Sequence, residues 1–260
     1  MKRRMRTPEP MAISEAELIT LTQGLDDLHH DVGMPAMRAA IDRWTDEIRT
    51  SRRGFLLGAG AVVGGAVLAA CSTSSSPSTT TATMGGSGTT TAKLTGDLAV
   101  AALAASLENL AVAAYGDVLT AASAGKLGTV PPAVGTFVTT VKAQHAQHAQ
   151  AWNSAITAAG HPAVTGPDKA LVPTVDTAFA KVTDVGGAAK LALMLEDIAG
   201  ATYQSAVSAV KAKSSIQVAA SIQPVELQHA AILNFVLGQY PVPNAFSPVA
   251  GARTLSDYTG

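Results

Sequence analysis

Six side chains able to bind a metal ion stand on otherwise apolar stretches. They are Glu108 in "LENLAVAAY", His145 and His148 in "HAQH", Glu196 in "LEDIAGATY", and Glu226 and His229 in "ELQH". In the second and fourth stretches the two groups are three residues apart, which on a helix places both on one face with Cβ atoms roughly 5–6 Å apart. Burying an ionised carboxylate costs several kcal/mol unless a cation compensates it, and no Lys or Arg falls on the faces of Glu108 or Glu196 within a turn or two. Mixed carboxylate and imidazole donors suit iron, manganese, zinc or copper, and donor type alone does not choose among them. A hydrogen-bonded carboxylate–imidazole network without metal is the other chemistry the set supports.

The set is also an internal echo. Leu, Glu, two Ala and Tyr recur in one frame at 107–115 and 195–203, and "QHA" at 147–149 recurs at 228–230. Glu108 with His148 is therefore copied as Glu196 with His229, whereas His145 corresponds to Glu226. Tyr115 and Tyr203, seven residues past each repeated Glu, read as packing residues or as hydrogen-bond donors to the ligands. Gln144, Gln147 and Gln150 read as a polar flank, and His161 in "GHP" as a loop residue.

Positioning these groups requires helices. The stretches after residue 95 are rich in Ala and Leu, which favours helix over strand, so the chain reads as all-α. Four segments are predicted, at 94–124, 133–160, 185–212 and 215–239, bounded by Gly125 and Gly128, Pro131 and Pro132, Gly160 and Pro162, and Gly186 and Gly187. Pro224 should bend the fourth helix just before Glu226. A long connection, 161–184, with a short helix near 175–182, separates the second segment from the third.

This region, about residues 96–248, resembles the ferritin-like domain family, particularly its exported bacterial versions. The resemblance is carried by "LENLAVAAY", "QPVELQHAAILNFVLG" and "YPVPNAFSP". It implies an antiparallel four-helix bundle, residues 96–240, with a long crossover between helices two and three and a tail over 241–260. It also implies a site in which Glu108 and Glu196 are terminal carboxylates, Glu226 and His229 are one ExxH pair, and His148 is the His of the other. His145 stands where the family has a glutamate that bridges two metals. A neutral imidazole normally offers one nitrogen to one metal, so the dinuclear iron or manganese centre of the family is put in question here.

The first third of the chain carries different signals. "SRRGFLL" at 51–57, with Arg52 and Arg53, resembles a twin-arginine export signal, and "LAAC" at 68–71 resembles a bacterial lipobox with Cys71 as the lipidated residue. The competing reading is a membrane span, weakened because the apolar run 54–70 is 17 residues with five Gly. A Ser/Thr/Gly-rich linker follows over 72–95. These features predict a lipid-anchored protein of the cell envelope, outside the cytoplasmic membrane, whose partners are the membrane and the export machinery. Cys71 is the only cysteine, so no disulfide forms within the chain. Upstream, "SEAE" at 14–17 has capping-box spacing and 37–48 has an amphipathic face, so residues 1–50 read as two short helices within a long leader or a start placed too far upstream. His29 and His30 lie beside Asp26, Asp27 and Asp31, but adjacent side chains do not share a helix face, and this is a weak metal cluster.

Lys plus Arg is 18 against 19 Asp plus Glu, which gives no surface for nucleic acid. A lipid tether opposes assembly into a storage cage, and no Ser or Cys nucleophile motif suggests a hydrolase. A homodimer is left open. Two functions remain: a metalloprotein reacting iron or manganese with oxygen or peroxide, and a non-catalytic envelope lipoprotein that buffers metal or offers the bundle as a scaffold.

Overall fold

A computed structural model describes residues 13–69 and 94–257; Cys71 and most of the linker lie outside the described residues. Four long helices form the bundle: α3 (Asp97–Ser123), α4 (Pro132–Ala158), α6 (Val185–Ala209) and α7 (Lys213–Val236). A short α5 (Val172–Phe179) lies in the crossover, somewhat earlier than the sequence suggests. The helix ends follow local chemistry. Both α3 and α4 stop at a glycine in the left-handed region, Gly125 (φ 71°) and Gly160 (φ 80°). In each case the next residue's N–H reaches back to the third-last helical carbonyl, Lys126 to Ala121 at 2.9 Å and His161 to Ile156 at 3.2 Å. At the start of α6, the Asp184 carboxylate accepts the Gly187 N–H at 2.7 Å. α7 runs through Pro224 without interruption.

The core fixes the direction of each helix. One apolar cluster takes Val118 from α3, Phe137 and Val141 from α4, Ala188 and Ala192 from α6, and Leu233 and Val236 from α7. The other takes Ala101 and Ala105, Trp152 and Ile156, Tyr203, and Val218 and Ile222 from the same four helices. Along α3 and α7 the chain passes from the second cluster to the first, and along α4 and α6 it does the reverse. α3 is thus antiparallel to α4, and α6 to α7, while the parallel step from α4 to α6 requires the long crossover. The six metal-binding candidates fall between the two clusters on every helix.

By length and composition α3 could cross a membrane, but 72% of its apolar window is buried within the fold. It is the core helix of the bundle and carries Glu108 there.

The segment before the bundle takes a form that spacing alone does not show. Where two short helices are expected, α1 (Glu15–Leu28), a π-helical turn (His29–Gly33) and α2 (Met34–Ala69) join into one helical rod. Ser14 and Glu17 form the expected capping box. Pro35 has no N–H and crowds the carbonyl four residues back, so the helix widens there; the Met34 N–H bonds to the His29 carbonyl, five residues away. The inserted residue keeps one face inward. Leu18 and Leu25 pack into the first cluster, and Met37, Ile41 and Trp44 into the second. The rod packs on α4 and α7, and its widened turn lies level with the polar layer. Farther along, Arg52 donates to the Ala158 carbonyl at the end of α4 at 3.2 Å.

Trp44 meets Trp152 edge to face with ring centroids 6.0 Å apart. Replacing Trp44 by Ala should cost about 3–5 kcal/mol in denaturant unfolding and shift the emission of Trp152, the only other tryptophan, to the red. An unchanged midpoint and emission would show that the rod is not seated.

Candidate metal centre

All six candidates are brought together and are buried, none more than 2% exposed. α3 supplies Glu108, α4 supplies His145 and His148, α6 supplies Glu196, and α7 supplies Glu226 and His229. The spacing of three in α4 and α7 aims both members of each pair at the bundle axis. Two overlapping groups result: Glu108, His145, His148 and Glu226, and His145, Glu196, Glu226 and His229, each offering donor atoms within 4.8 Å of one another. Glu226 and His145 belong to both.

The shared residues explain the geometry. His145 Nδ1 lies 2.7 Å from Glu108 Oε2, and its Nε2 lies 3.2 Å from Glu196 Oε1. One ring therefore spans the two halves, one nitrogen to each. Glu226 sits opposite, with Oε1 3.0 Å from His148 Nδ1 and Oε2 3.6 Å from His229 Nδ1. Neither Glu226 oxygen is aligned for a hydrogen bond, and both are buried without a hydrogen-bond partner. Burying two carboxylate oxygens beside imidazoles that do not align on them is costly. A cation between the halves would satisfy both, so the residues present fit a metal.

The tyrosines are cross-wired. Tyr115 of α3 donates to Glu196 of α6, and Tyr203 of α6 donates to Glu108 of α3. Each repeat thus holds the other repeat's carboxylate. Tyr203 Oη also accepts the Trp152 indole N–H at 2.8 Å. Burial and the neighbouring carboxylates push both phenols well above their usual range, so they remain donors.

Residues 96–239 match the model of the ferritin-like domain, over half of the 260-residue chain. The chain belongs to the ferritin-like domain family. No curated protein and no solved structure matches it. In the ferritin-like bundle of this chain the centre is a buried His/Glu cluster that could hold a metal.

Charge in the cluster is balanced internally. Burial alone would raise the Glu108 carboxyl, but the charge of His148 and the hydrogen bond from His145 hold it down at about 2. Glu196 is likewise held well below the usual range, against burial, by His145 and His229. Burial works against a charged imidazole, yet Glu108 and Glu226 lift His148 to about 9. His145 and His229 are also raised, principally by Glu226 and Glu196 in the first case and by Glu196 in the second. Without metal, protons on the histidines neutralise the carboxylates; metal entry must displace those protons.

Three further residues reach the site. Gln144, expected only as a polar flank, is buried, and its Oε1 accepts from His229 Nε2 at 2.8 Å. Its Nε2 donates to Asp26 Oδ1 on the rod at 3.1 Å. His29 is not part of an acidic surface cluster: it is buried with its Nε2 3.2 Å from His148 Nε2. His30 turns away to pair with Asp26 at 3.3 Å. The available signal was periodicity, since His29 continues the stripe Leu18, Thr22, Leu25 at the next helical step. His161 lies just past α4, its N–H bonded back to the Ile156 carbonyl, and takes no part in the site.

Removing the Tyr115 hydroxyl (Tyr115→Phe) should cost about 1.5–3 kcal/mol, the worth of a hydrogen bond to a charged acceptor. Tyr203→Phe should cost more, because it also leaves the Trp152 N–H unpaired; equal or negligible losses would refute the cross-bracing. The pH dependence has a worked sign. A carboxyl lowered to about 2 contributes above its ordinary value of 4.5 and loses that as pH falls toward 2, whereas an imidazole raised to about 9 contributes below 6.5 and loses that as pH rises through 9. The metal-free chain should therefore melt highest between pH 4.5 and 6.5 and several degrees lower at pH 9; a melting temperature still rising at pH 9 would contradict the assignment.

Proposed function

We propose that this is an exported, membrane-anchored ferritin-like protein that binds iron or manganese in the bundle core and reacts it with oxygen or peroxide. The observation that carries the metal is Glu226, whose two buried oxygens lie between two overlapping His/Glu groups and make no aligned hydrogen bond. When bound, the metal supplies the electrons for reduction of the oxidant. The chain's own residues do the rest. Glu108 and Glu196 are fixed by Tyr203 and Tyr115, and His148 and His229 turn Nδ1 inward beside Glu226. His145 holds its two protons toward Glu108 and Glu196 in the metal-free state, and a cation in one half needs only one of those nitrogens bare. A narrow cleft between α3 and α6, lined by Leu107, Leu110, Leu195 and Ile198, reaches Glu108 and His145.

Export rests on Arg52 and Arg53 followed by an apolar run, and anchoring on the lipobox-like "LAAC" ending at Cys71. A second reading, passive metal buffering by an envelope lipoprotein, rests on the same donors, whose protons a metal can replace without any redox step.

Elemental analysis of the full chain, purified without a histidine tag and loaded with Fe(II) or Mn(II), tests the reading. Wild type should retain at least one ion per chain and melt higher for it, and Glu226→Ala should bind more weakly by 100-fold or more. Two ions would mean that His145 serves both halves, and one would mean that it closes one of them. No retained metal and no stabilisation would end the metal hypothesis, and metal that binds but gives no optical change with oxygen or peroxide would leave buffering. A Cys71→Ala chain that still partitions with membranes would refute the lipid anchor.

A further inference from the structure

The two outer histidines need the same support, and the bundle supplies it only once. His148 and His229 both turn Nδ1 toward Glu226, leaving Nε2 to be held from outside. A metal-binding imidazole is oriented by the partner of its other nitrogen. For His229 that partner is Gln144, whose amide oxygen accepts at 2.8 Å. The internal repeat that pairs His145 with Glu226 and His148 with His229 pairs Gln144 with Val225, an apolar residue that cannot accept a hydrogen bond. The place Val225 leaves open is filled from the rod: His29 Nε2 lies 3.2 Å from His148 Nε2, the two rings 5.3 Å apart.

The contact joins the outer nitrogen of each ring, so one imidazole donates and the other accepts, and His148 is held from outside as His229 is. The π-helical turn delivers His29 to this level, because it sits where the stripe of Leu18 and Leu25 hands over to that of Met37 and Trp44. Asp26, one turn earlier, holds Gln144 at 3.1 Å, so one helical turn of the rod supports the partners of both histidines.

We infer that His29 is a positioning residue of the metal centre: it fixes His148 as Gln144 fixes His229, and thereby makes the N-terminal rod part of the site. The inference rests on the metal-binding reading above, but part of its test does not. In the metal-free full chain, nitrogen-resolved NMR of the histidine rings should show the His148 signals moved by His29→Ala and the His229 signals unmoved. Unmoved His148 signals overturn the inference whether or not the chain binds metal. In titrations with Fe(II) or Mn(II), His29→Ala should weaken the half containing His148 by about 10- to 100-fold and leave the half containing His229 unchanged. His29→Gln, which restores an amide acceptor like that of Gln144, should recover most of the loss. Wild-type binding by His29→Ala, or an equal loss in both halves that His29→Gln does not repair, would refute it. If wild type itself binds no metal, the functional reading fails and the NMR result alone decides the positioning.

Discussion

Three carboxylates and three imidazoles confined to one buried layer are the constraint on which this structure depends. A buried ion pair is a poor source of stability, since an apolar replacement of equal volume is often as good or better. Breaking such a layer by removing one partner is expensive, because the remaining charge is stranded. The bundle therefore has to satisfy the whole layer, and it does so with apolar clusters above and below that exclude water and strengthen each contact within. Retaining so costly a layer is an argument for ligand binding, because its charges oppose a cation's and its protons can be exchanged for one.

The duplication is not two independent halves. Because Tyr115 serves Glu196 and Tyr203 serves Glu108, each helix pair lacks a donor that only the other contains. Glu226 and His145 then stand in both groups. Their chemistry differs in a way symmetry cannot hide: the carboxylate can share its charge between two cations, whereas the imidazole must lose a proton for each nitrogen it offers. The repeat fixes where the donors stand, and the unmatched pair governs how many positive charges the layer accepts.

Much of this was legible in the sequence because helical spacing is a strong signal. The pairs at 145/148 and 226/229, the repeated Glu, and the Gly and Pro boundaries placed four helices and six donors. What was not legible lies across the fold rather than along it. A tyrosine seven residues from a glutamate suggests service to its own helix, and nothing local reveals the crossing. Gln144 is hidden by its neighbour, since adjacent residues are about 100° apart on a helix: His145 faces the axis and Gln144 faces α7 and the rod. His29 is the next step of the stripe Leu18, Thr22, Leu25, but Pro35 shifts the inward register by one residue after it and so hides that this stripe and that of Met37, Ile41 and Trp44 form one face.

The rod also ties metal chemistry to the fate of the leader. It brings Asp26, His29 and Trp44 against the bundle, and the same helix continues through Arg52 toward the run that ends at Cys71. Cleavage before Cys71 would remove all three at once. Trp152 would lose its edge-to-face partner, Gln144 its tie to Asp26, and His148 the partner at its outer nitrogen. Water would then take their places on α4 and α7, and a water at His148 Nε2 would not hold the ring from one fixed direction. On that account the uncleaved chain would be the tighter, more ordered binder of the two, and metal taken up while the rod is seated would sit in a different site from metal taken up after it had gone.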